Sequence, residues 1–176
     1  MKYAGLKKND ATNCLSGLCV SLWTQGCPHH CEGCHNPETW DPNGGMEVPA
    51  DIKEQIIKAI SANGIQRNFS VLGGDPLAEW NRKWVLDIIK TVREVYPNII
   101  IYLWSGWTYE QIFKTKNYDF YSDAVQILNN INFFIDGKFD IEHRNITLAL
   151  RGSRNQRIWE RNPKTNSWSD VSDKYD

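Results

Sequence analysis

The sequence has 176 residues, of which 41% are hydrophobic and 23% are charged, and its formal net charge at pH 7 is -1. This composition indicates a folded globular protein, and the near-zero charge shows no general preference for nucleic acid or anionic lipid. No apolar run approaches the roughly 20 residues that a membrane span requires, and the N-terminus lacks the apolar stretch of a secretory signal. We therefore expect one cytoplasmic domain that binds neither membrane nor nucleic acid.

Short apolar strands alternate with amphipathic helices along the sequence. In chain order, the predicted elements are a strand at 18–23, a helix at 51–62, a strand at 68–72, a helix at 81–96, a strand at 99–104, short helices at 108–114 and 124–128, and a strand at 132–136. Such alternation indicates parallel βαβ units, and four or five strands are too few for a closed eight-stranded barrel. The predicted fold is α/β, a single-domain partial (open) TIM-type barrel with parallel strands over 1–162. A polar C-terminal tail at 163–176 is expected to fray.

The loops that leave the C-terminal ends of parallel strands share one edge of a sheet, and that edge carries the site. Here these loops contain the unusual residues of the sequence, namely a cysteine-rich segment, Gly73-Gly74-Asp75-Pro76, Ser105-Gly106 and Asp136-Gly137-Lys138. We therefore expect these segments to converge on one site.

The cysteines indicate the kind of site. There are five, an odd number, and Cys27, Cys31 and Cys34 lie within one short segment. This pattern does not suit a disulfide framework and favours metal binding or redox chemistry. Cys14 and Cys19 stand apart, and we interpret them as buried packing residues.

Two kinds of metal centre fit the cysteine-rich segment. A structural zinc ion needs a closed set of four ligands, for which His35, His29 or His30 would join the three cysteines. Iron–sulfur clusters are usually held by four cysteines, so three would leave one iron free to bind a substrate. The spacing favours the open cluster, and zinc is the alternative.

The spacing of three and then two residues between the cysteines resembles the signature of the radical S-adenosylmethionine (SAM) enzymes. In those enzymes three thiolates hold a [4Fe–4S] cluster, and SAM binds the fourth iron. The sequence of residues 20–41 is similar to that of one family among them, the activating proteins of the anaerobic, class III ribonucleoside-triphosphate reductase. The similarity extends from about residue 3 to about residue 160.

The resemblance implies a radical SAM core and an oxidoreductase that cleaves SAM reductively at the cluster. The resulting 5′-deoxyadenosyl radical would abstract hydrogen from a glycine of the large subunit of the anaerobic reductase and generate its glycyl radical. A flavodoxin or ferredoxin would supply the electron. Two alternatives stay open: an activase of another glycyl-radical enzyme, and a non-catalytic zinc-binding interaction module.

The resemblance also suggests cofactor contacts. The expected residues are Gly33, Cys34, His35, Gly73, Gly74, Asp75, Ser105, Asp136 and Lys138. Gly73–Asp75 is similar to the Gly-Gly-Glu element that binds the methionine ammonium of SAM, since glycines allow close approach and a carboxylate favours a cation. Ser105 is expected at the ribose or carboxylate of SAM, and Asp136 and Lys138 at the ribose and carboxylate.

Two segments have structural alternatives. Asp136-Gly137-Lys138 equally suits a tight hairpin turn. The basic stretch from Arg151 to Arg157 is interpreted either as a solvated turn or as a surface that docks the partner.

Overall fold

The computed structural model describes residues 1–176 and contains eight β-strands and four α-helices. In chain order these are β1 (Lys2–Asp10), β2 (Cys19–Thr24), β3 (Met46–Glu47), α1 (Ile52–Ile60), β4 (Asn68–Gly73), α2 (Arg82–Val95), β5 (Ile101–Ser105), α3 (Tyr109–Lys114), α4 (Tyr118–Leu128), β6 (Phe133–Asp136), β7 (Arg157–Arg161) and β8 (Trp168–Asp170). All eight strands form one sheet in the order β3-β1-β2-β4-β5-β6-β7-β8.

The centre of the sheet is parallel and its two edges are antiparallel. Strands β2, β4, β5 and β6 pair in parallel, whereas β1 and β3 on one side and β7 and β8 on the other pair antiparallel. The parallel strands are buried almost throughout, as strands covered on both faces are. The α/β class is confirmed, with parallel pairing limited to the centre. The partial TIM-type barrel stays a prediction.

The two longest predicted helices form where their apolar spacing placed them. The buried residues of α1 are Ile52, Ile56, Ala59 and Ile60, which recur every three or four positions and face the core. The buried face of α2 includes Val85, Ile88, Ile89 and Val92, and it packs with α1 on the parallel strands. None of the four α-helices combines the length and the apolar composition needed to cross a bilayer.

Three details differ from the sequence prediction. Helix α4 begins at Tyr118 rather than near residue 124, because the Asn117 side chain accepts a hydrogen bond from the Phe120 N–H and starts the helix earlier. Strands β1, β3 and β7 were not predicted. The chain after residue 162 does not fray: β8 pairs with β7, and Val171 is buried. The expectation that residues 163–176 fray was wrong, because β8 extends the sheet and Val171 packs in an apolar cluster with Ile158.

Candidate metal centre

The cysteine loop, residues 25–41, leaves the C-terminal end of β2 and is closed at its base. The Gly26 N–H donates to Thr39 O at 2.7 Å, and the Cys27 N–H donates to Trp40 O at 3.0 Å. At this base, the buried Gln25 side chain donates hydrogen bonds to Glu38 O and Asp41 O near the end of the loop. The loop therefore has a fixed base next to the central sheet.

The three cysteines of this loop are free thiols that are neither fully buried nor fully exposed. The Cys34 N–H donates to Cys31 O at 3.1 Å, which folds the last two cysteines into a tight turn. Gly33 makes this turn with φ +70°, a left-handed conformation that favours glycine. A Cβ at Gly33 would also lie 2.9 Å from Ile141 Cδ1, so the turn is packed against the loop that follows β6.

The surroundings of Cys27 and Cys31 favour the neutral form of these two thiols. Burial raises the pKa of Cys27 to about 11, although the backbone N–H groups of His29 and His30 oppose the rise. Burial also raises the pKa of Cys31, which the nearby thiol of Cys34 raises further. Since a metal binds the thiolate, a cation must displace these protons when it binds. Backbone N–H groups near the sulfurs are the kind of neighbours that tune iron–sulfur clusters.

The loop after β4 lies backbone to backbone against the cysteine loop. The Gly74 N–H donates to Thr24 O and the Asp75 N–H donates to Gly26 O, both at 2.8 Å. A Cβ at Gly74 would lie 2.4 Å from Gly26 O, and a Cβ at Gly73 would lie 2.7 Å from Thr24 N. The two predicted glycines are therefore required for the close approach of these loops.

Asp75 joins three loops through its carboxylate. The side chain is buried and accepts from the Leu77 N–H at 2.8 Å, the Ser105 hydroxyl at 3.0 Å and the Gly106 N–H at 3.0 Å. His29 Nε2 donates to the same carboxylate at 2.7 Å. The structure thus brings the predicted residues Asp75 and Ser105 together, and the two side chains are hydrogen-bonded to each other. Sequence reasoning considered His29 only as a zinc ligand and missed this contact.

Asp136, at the end of β6, is also engaged within the protein. It is fully buried, its two oxygens accept from Arg157, and Oδ2 also accepts from the Tyr109 N–H at 2.7 Å. Because β7 begins only at Arg157, the alternative of a tight hairpin at Asp136 is wrong. The role of Asp136 toward a ribose stays a prediction.

The segment after β6 covers the cysteine turn. Lys138 is exposed, and its positive charge, together with the Phe139 N–H, acts to lower the pKa of Cys31. His35 is also exposed. Beside the loop, a cavity of about 320 Å³ is lined by Pro28, Leu77, Trp80, Arg82, Trp107 and Phe120, among others. A cavity with a mixed apolar and polar lining therefore lies beside the loop at Pro28, and a basic side chain lies near Cys31.

The remaining predicted segments lie away from the cysteine loop, or their side chains are bonded to other residues of the chain. Cys14 and Cys19 are buried in a smaller apolar cluster with Tyr102, away from the cysteine loop. Burial raises the pKa of Cys14 to about 12, so this thiol is unreactive. In the basic stretch, Arg151 is buried against Asp176 and Arg157 is paired, as described above. The stretch is therefore not a uniformly solvated turn.

The zinc alternative finds no ready site. The chain contains no group of three or more His, Cys, Asp or Glu side chains that could hold a single metal ion. Structural zinc needs four ligands around one point, whereas a four-iron cluster distributes its thiolates over several irons. A four-ligand zinc site is therefore not formed by these side chains.

Comparison with known proteins assigns the chain to a family. Residues 16–159 match the family described as 4Fe-4S single cluster domain. The anaerobic ribonucleoside-triphosphate reductase-activating protein of Escherichia coli (strain K12) is 31% identical over 141 residues, covering 80% of this chain and 86% of that protein. The protein of the same name from Enterobacteria phage T4 is 31% identical, and the match covers 81% of this chain and 84% of that protein. The protein from Vibrio cholerae is 33% identical, and the match covers 81% of this chain and 87% of that protein. The chain belongs to the family of anaerobic ribonucleoside-triphosphate reductase-activating proteins.

Membership in this family confirms the resemblance to the reductase-activating proteins that the sequence of residues 20–41 indicated. Cys27, Cys31 and Cys34 all lie within the segment that matches the 4Fe-4S single cluster domain. The match supports an iron–sulfur cluster as the group that this member of the family holds.

Proposed function

We propose that the chain is a radical SAM oxidoreductase of the cytoplasm that activates an anaerobic ribonucleoside-triphosphate reductase. The observation that carries this proposal is the group of three free cysteines on one closed loop at the C-terminal end of a central parallel strand. The names of the relatives, which are reductase-activating proteins, support the same activity.

Cys27, Cys31 and Cys34 are the residues proposed to hold a [4Fe–4S] cluster. Their thiols are partly buried and lie near backbone N–H groups. This set fits a cluster with three protein ligands, which leaves one iron for SAM. When bound, the cluster would pass one electron from the donor protein to SAM, whose reductive cleavage would give methionine and a 5′-deoxyadenosyl radical able to take a hydrogen atom from a glycine of the reductase.

The chain itself positions the cofactor and restricts access of water. Gly73 and Gly74 bring backbone atoms close to the cysteine loop, where they are proposed to meet the methionine part of SAM. Gly33, Cys34 and His35 are proposed to lie along SAM from the other side. The side chains of Asp75, Ser105, Asp136 and Lys138 complete the proposed set. Holding the reactants in place is the main contribution that a protein makes to such cofactor chemistry.

The proposed protein substrate is the large subunit of the reductase, and the proposed electron donor is a flavodoxin or ferredoxin. The cavity lined by Trp80, Trp107 and Phe120, among others, borders the cysteine loop at Pro28. It is the proposed route by which a loop of the reductase approaches the cysteines.

The test is anaerobic reconstitution followed by iron quantification and by measurement of 5′-deoxyadenosine released from SAM under reduction. The wild type is expected to bind about four irons and to release 5′-deoxyadenosine. Cys31→Ala is expected to lose both, whereas Cys14→Ala, which removes a thiol outside the loop, is expected to keep both. Turnover by Cys31→Ala would refute its ligand role. A colourless wild type that binds one zinc and no iron would favour the interaction module.

A further inference from the structure

His29 occupies a position that its place in an exposed loop does not explain. Only 5% of its side chain is exposed, and its ring lies edge-on to Trp107 with 5.2 Å between the ring centres. The ring also lies directly over Gly106, where an added Cβ would come within 2.3 Å of it. The imidazole of His29 therefore packs closely against Gly106 and Trp107 of the β5–α3 loop.

The polar end of the ring is fixed as well as its faces. His29 Nε2 donates to Asp75 Oδ2 at 2.7 Å, and the carboxylate is fully buried. Hydrogen bonds to an ionised carboxylate are among the stronger ones, and burial limits competition from water. The same carboxylate also accepts hydrogen bonds from Ser105, Gly106 and Leu77. The carboxylate thus holds the cysteine loop to the loops after β4 and β5.

The neighbouring histidine shows that the contact is particular to His29. His30 lies between the same two cysteines, yet it is exposed and its ring contacts Trp40 instead, at 5.1 Å between ring centres. It also adopts a left-handed backbone with φ +46°, which turns the chain back toward solvent. The two residues have the same chemistry and opposite surroundings, so they form a natural matched pair.

We propose that His29 is a positioning residue, which through Asp75 fixes the backbone of the span from Cys27 to Cys31 against the loops after β4 and β5 before the cluster assembles. We name this hydrogen bond the His29–Asp75 clamp. The inference rests on the proposed function, because it takes the cysteines to be the cluster ligands. The clamp itself is a contact within the protein and can be tested before any cluster is bound.

The first readout is hydrogen–deuterium exchange of the full-length chain before reconstitution. His29→Leu removes the donor and is expected to speed exchange of the amides at 27–34 by roughly tenfold or more, since a hydrogen bond to a buried charge is lost. His30→Leu is the control; it removes no contact with Asp75, and the strain of a leucine at the left-handed φ of +46° is expected to raise exchange less than His29→Leu does. His29→Gln keeps an N–H donor at a similar reach and is expected to restore part of the protection. Equal exchange in His29→Leu and His30→Leu would overturn the clamp.

The second readout is the rate at which an iron chelator removes the cluster from reconstituted protein, followed by loss of visible absorbance. His29→Leu is expected to lose the cluster roughly tenfold faster than His30→Leu, with His29→Gln between them. Normal loss rates in a variant with faster amide exchange would overturn the link between the clamp and the cluster. A wild type that binds no cluster contradicts the proposed function instead, and the exchange result still decides the clamp.

Gly106→Ala breaks the same contact without altering the histidine. The new methyl group would occupy the space of the imidazole, and Gly106 has an ordinary backbone conformation that alanine can adopt. We expect its exchange and chelation rates to match those of His29→Leu, so the proposal remains testable should that variant fail to fold. Wild-type rates in Gly106→Ala would contradict the proposal.

Discussion

Arg157 and Asp136 face each other across the antiparallel pair of β6 and β7 and form a two-pronged ion pair. The Arg157 Nε–H donates to Asp136 Oδ1 at 3.0 Å, and Nη2–H donates to Oδ2 at 2.6 Å. The same guanidinium makes two further hydrogen bonds to Glu110, at 2.9 and 2.7 Å, and lies over the ring of Trp159. One side chain thus ties α3 to the sheet at the edge that carries the site.

Removing this cation leaves the carboxylate of Asp136 buried without its charged partner. Arg157→Leu is therefore expected to lower the free energy of unfolding by about 3–5 kcal/mol, the usual cost of breaking a buried pair from one side. Urea denaturation of the two proteins measures the difference. A loss below about 1 kcal/mol would show that Asp136 does not depend on Arg157.

The partly exposed ion pair between Arg157 and Glu110 predicts that the free energy of unfolding depends on pH. Hydrogen bonds from Arg157 lower the pKa of Glu110 to about 2, compared with an ordinary value of 4.5. Stability from this pair is therefore fully present above the ordinary pKa and is lost as the pH falls through the folded one. Because 43% of the Glu110 side chain is exposed, we expect Glu110→Gln to cost no more than about 1 kcal/mol near neutral pH.

Unfolding in urea at about pH 7 and about pH 3 checks this pH dependence. The gap in unfolding free energy between the wild type and Glu110→Gln is expected to shrink at the lower pH. A gap that is constant or grows at acid pH would contradict the ion pair.

The contact between Gly74 and Gly26 predicts a steric effect on iron binding. Gly74→Ala places a methyl group against Gly26 O, one residue before Cys27, and is expected to cost about 1–3 kcal/mol and to reduce the iron retained after reconstitution. Gly64→Ala is the control, because Gly64 has open space around it and costs only the strain of its φ of +71°, about 1–2 kcal/mol. Full iron content in Gly74→Ala would show that this approach of the loops is not needed.

The C-terminal segment is expected to contribute to stability. Val171 is 5% exposed, and its N–H donates to Ile158 O at 2.8 Å. Deletion of residues 163–176 is expected to lower the unfolding free energy by about 2 kcal/mol or more, since apolar surface of the sheet is uncovered. Lys174→Ala, which loses only an exposed ion pair with Glu160, is the control and should change stability by less than about 0.5 kcal/mol. Equal stability of the truncated and complete chains would argue against an ordered end.

The sequence predicted those elements that local spacing determines. Helices α1 and α2 begin and end within two residues of the expected positions, because their apolar residues repeat at helical spacing. Strand β1 escaped prediction because Lys7, Lys8 and Asn9 interrupt its pattern and are exposed near the edge of the sheet. Its pairing with β2 is a tertiary contact, which local composition does not encode.

The meeting of the loops followed from the strand order, but the partners within them did not. Parallel pairing of β2, β4 and β5 places the loops that follow them at one edge, as expected. The bond between His29 and Asp75 joins residues 46 positions apart, and the sequence offered no reason to choose His29 over His30. Backbone conformation and the space above Gly106 make that choice.

The central claim is that the three cysteines hold a cluster with one iron open to SAM. Electron paramagnetic resonance of the anaerobically reconstituted and dithionite-reduced protein, recorded with and without SAM, tests this claim most directly. We predict the signal of a reduced [4Fe–4S] cluster whose shape changes when SAM is added. A signal that SAM leaves unaltered, or a reduced protein without any cluster signal, would contradict the account.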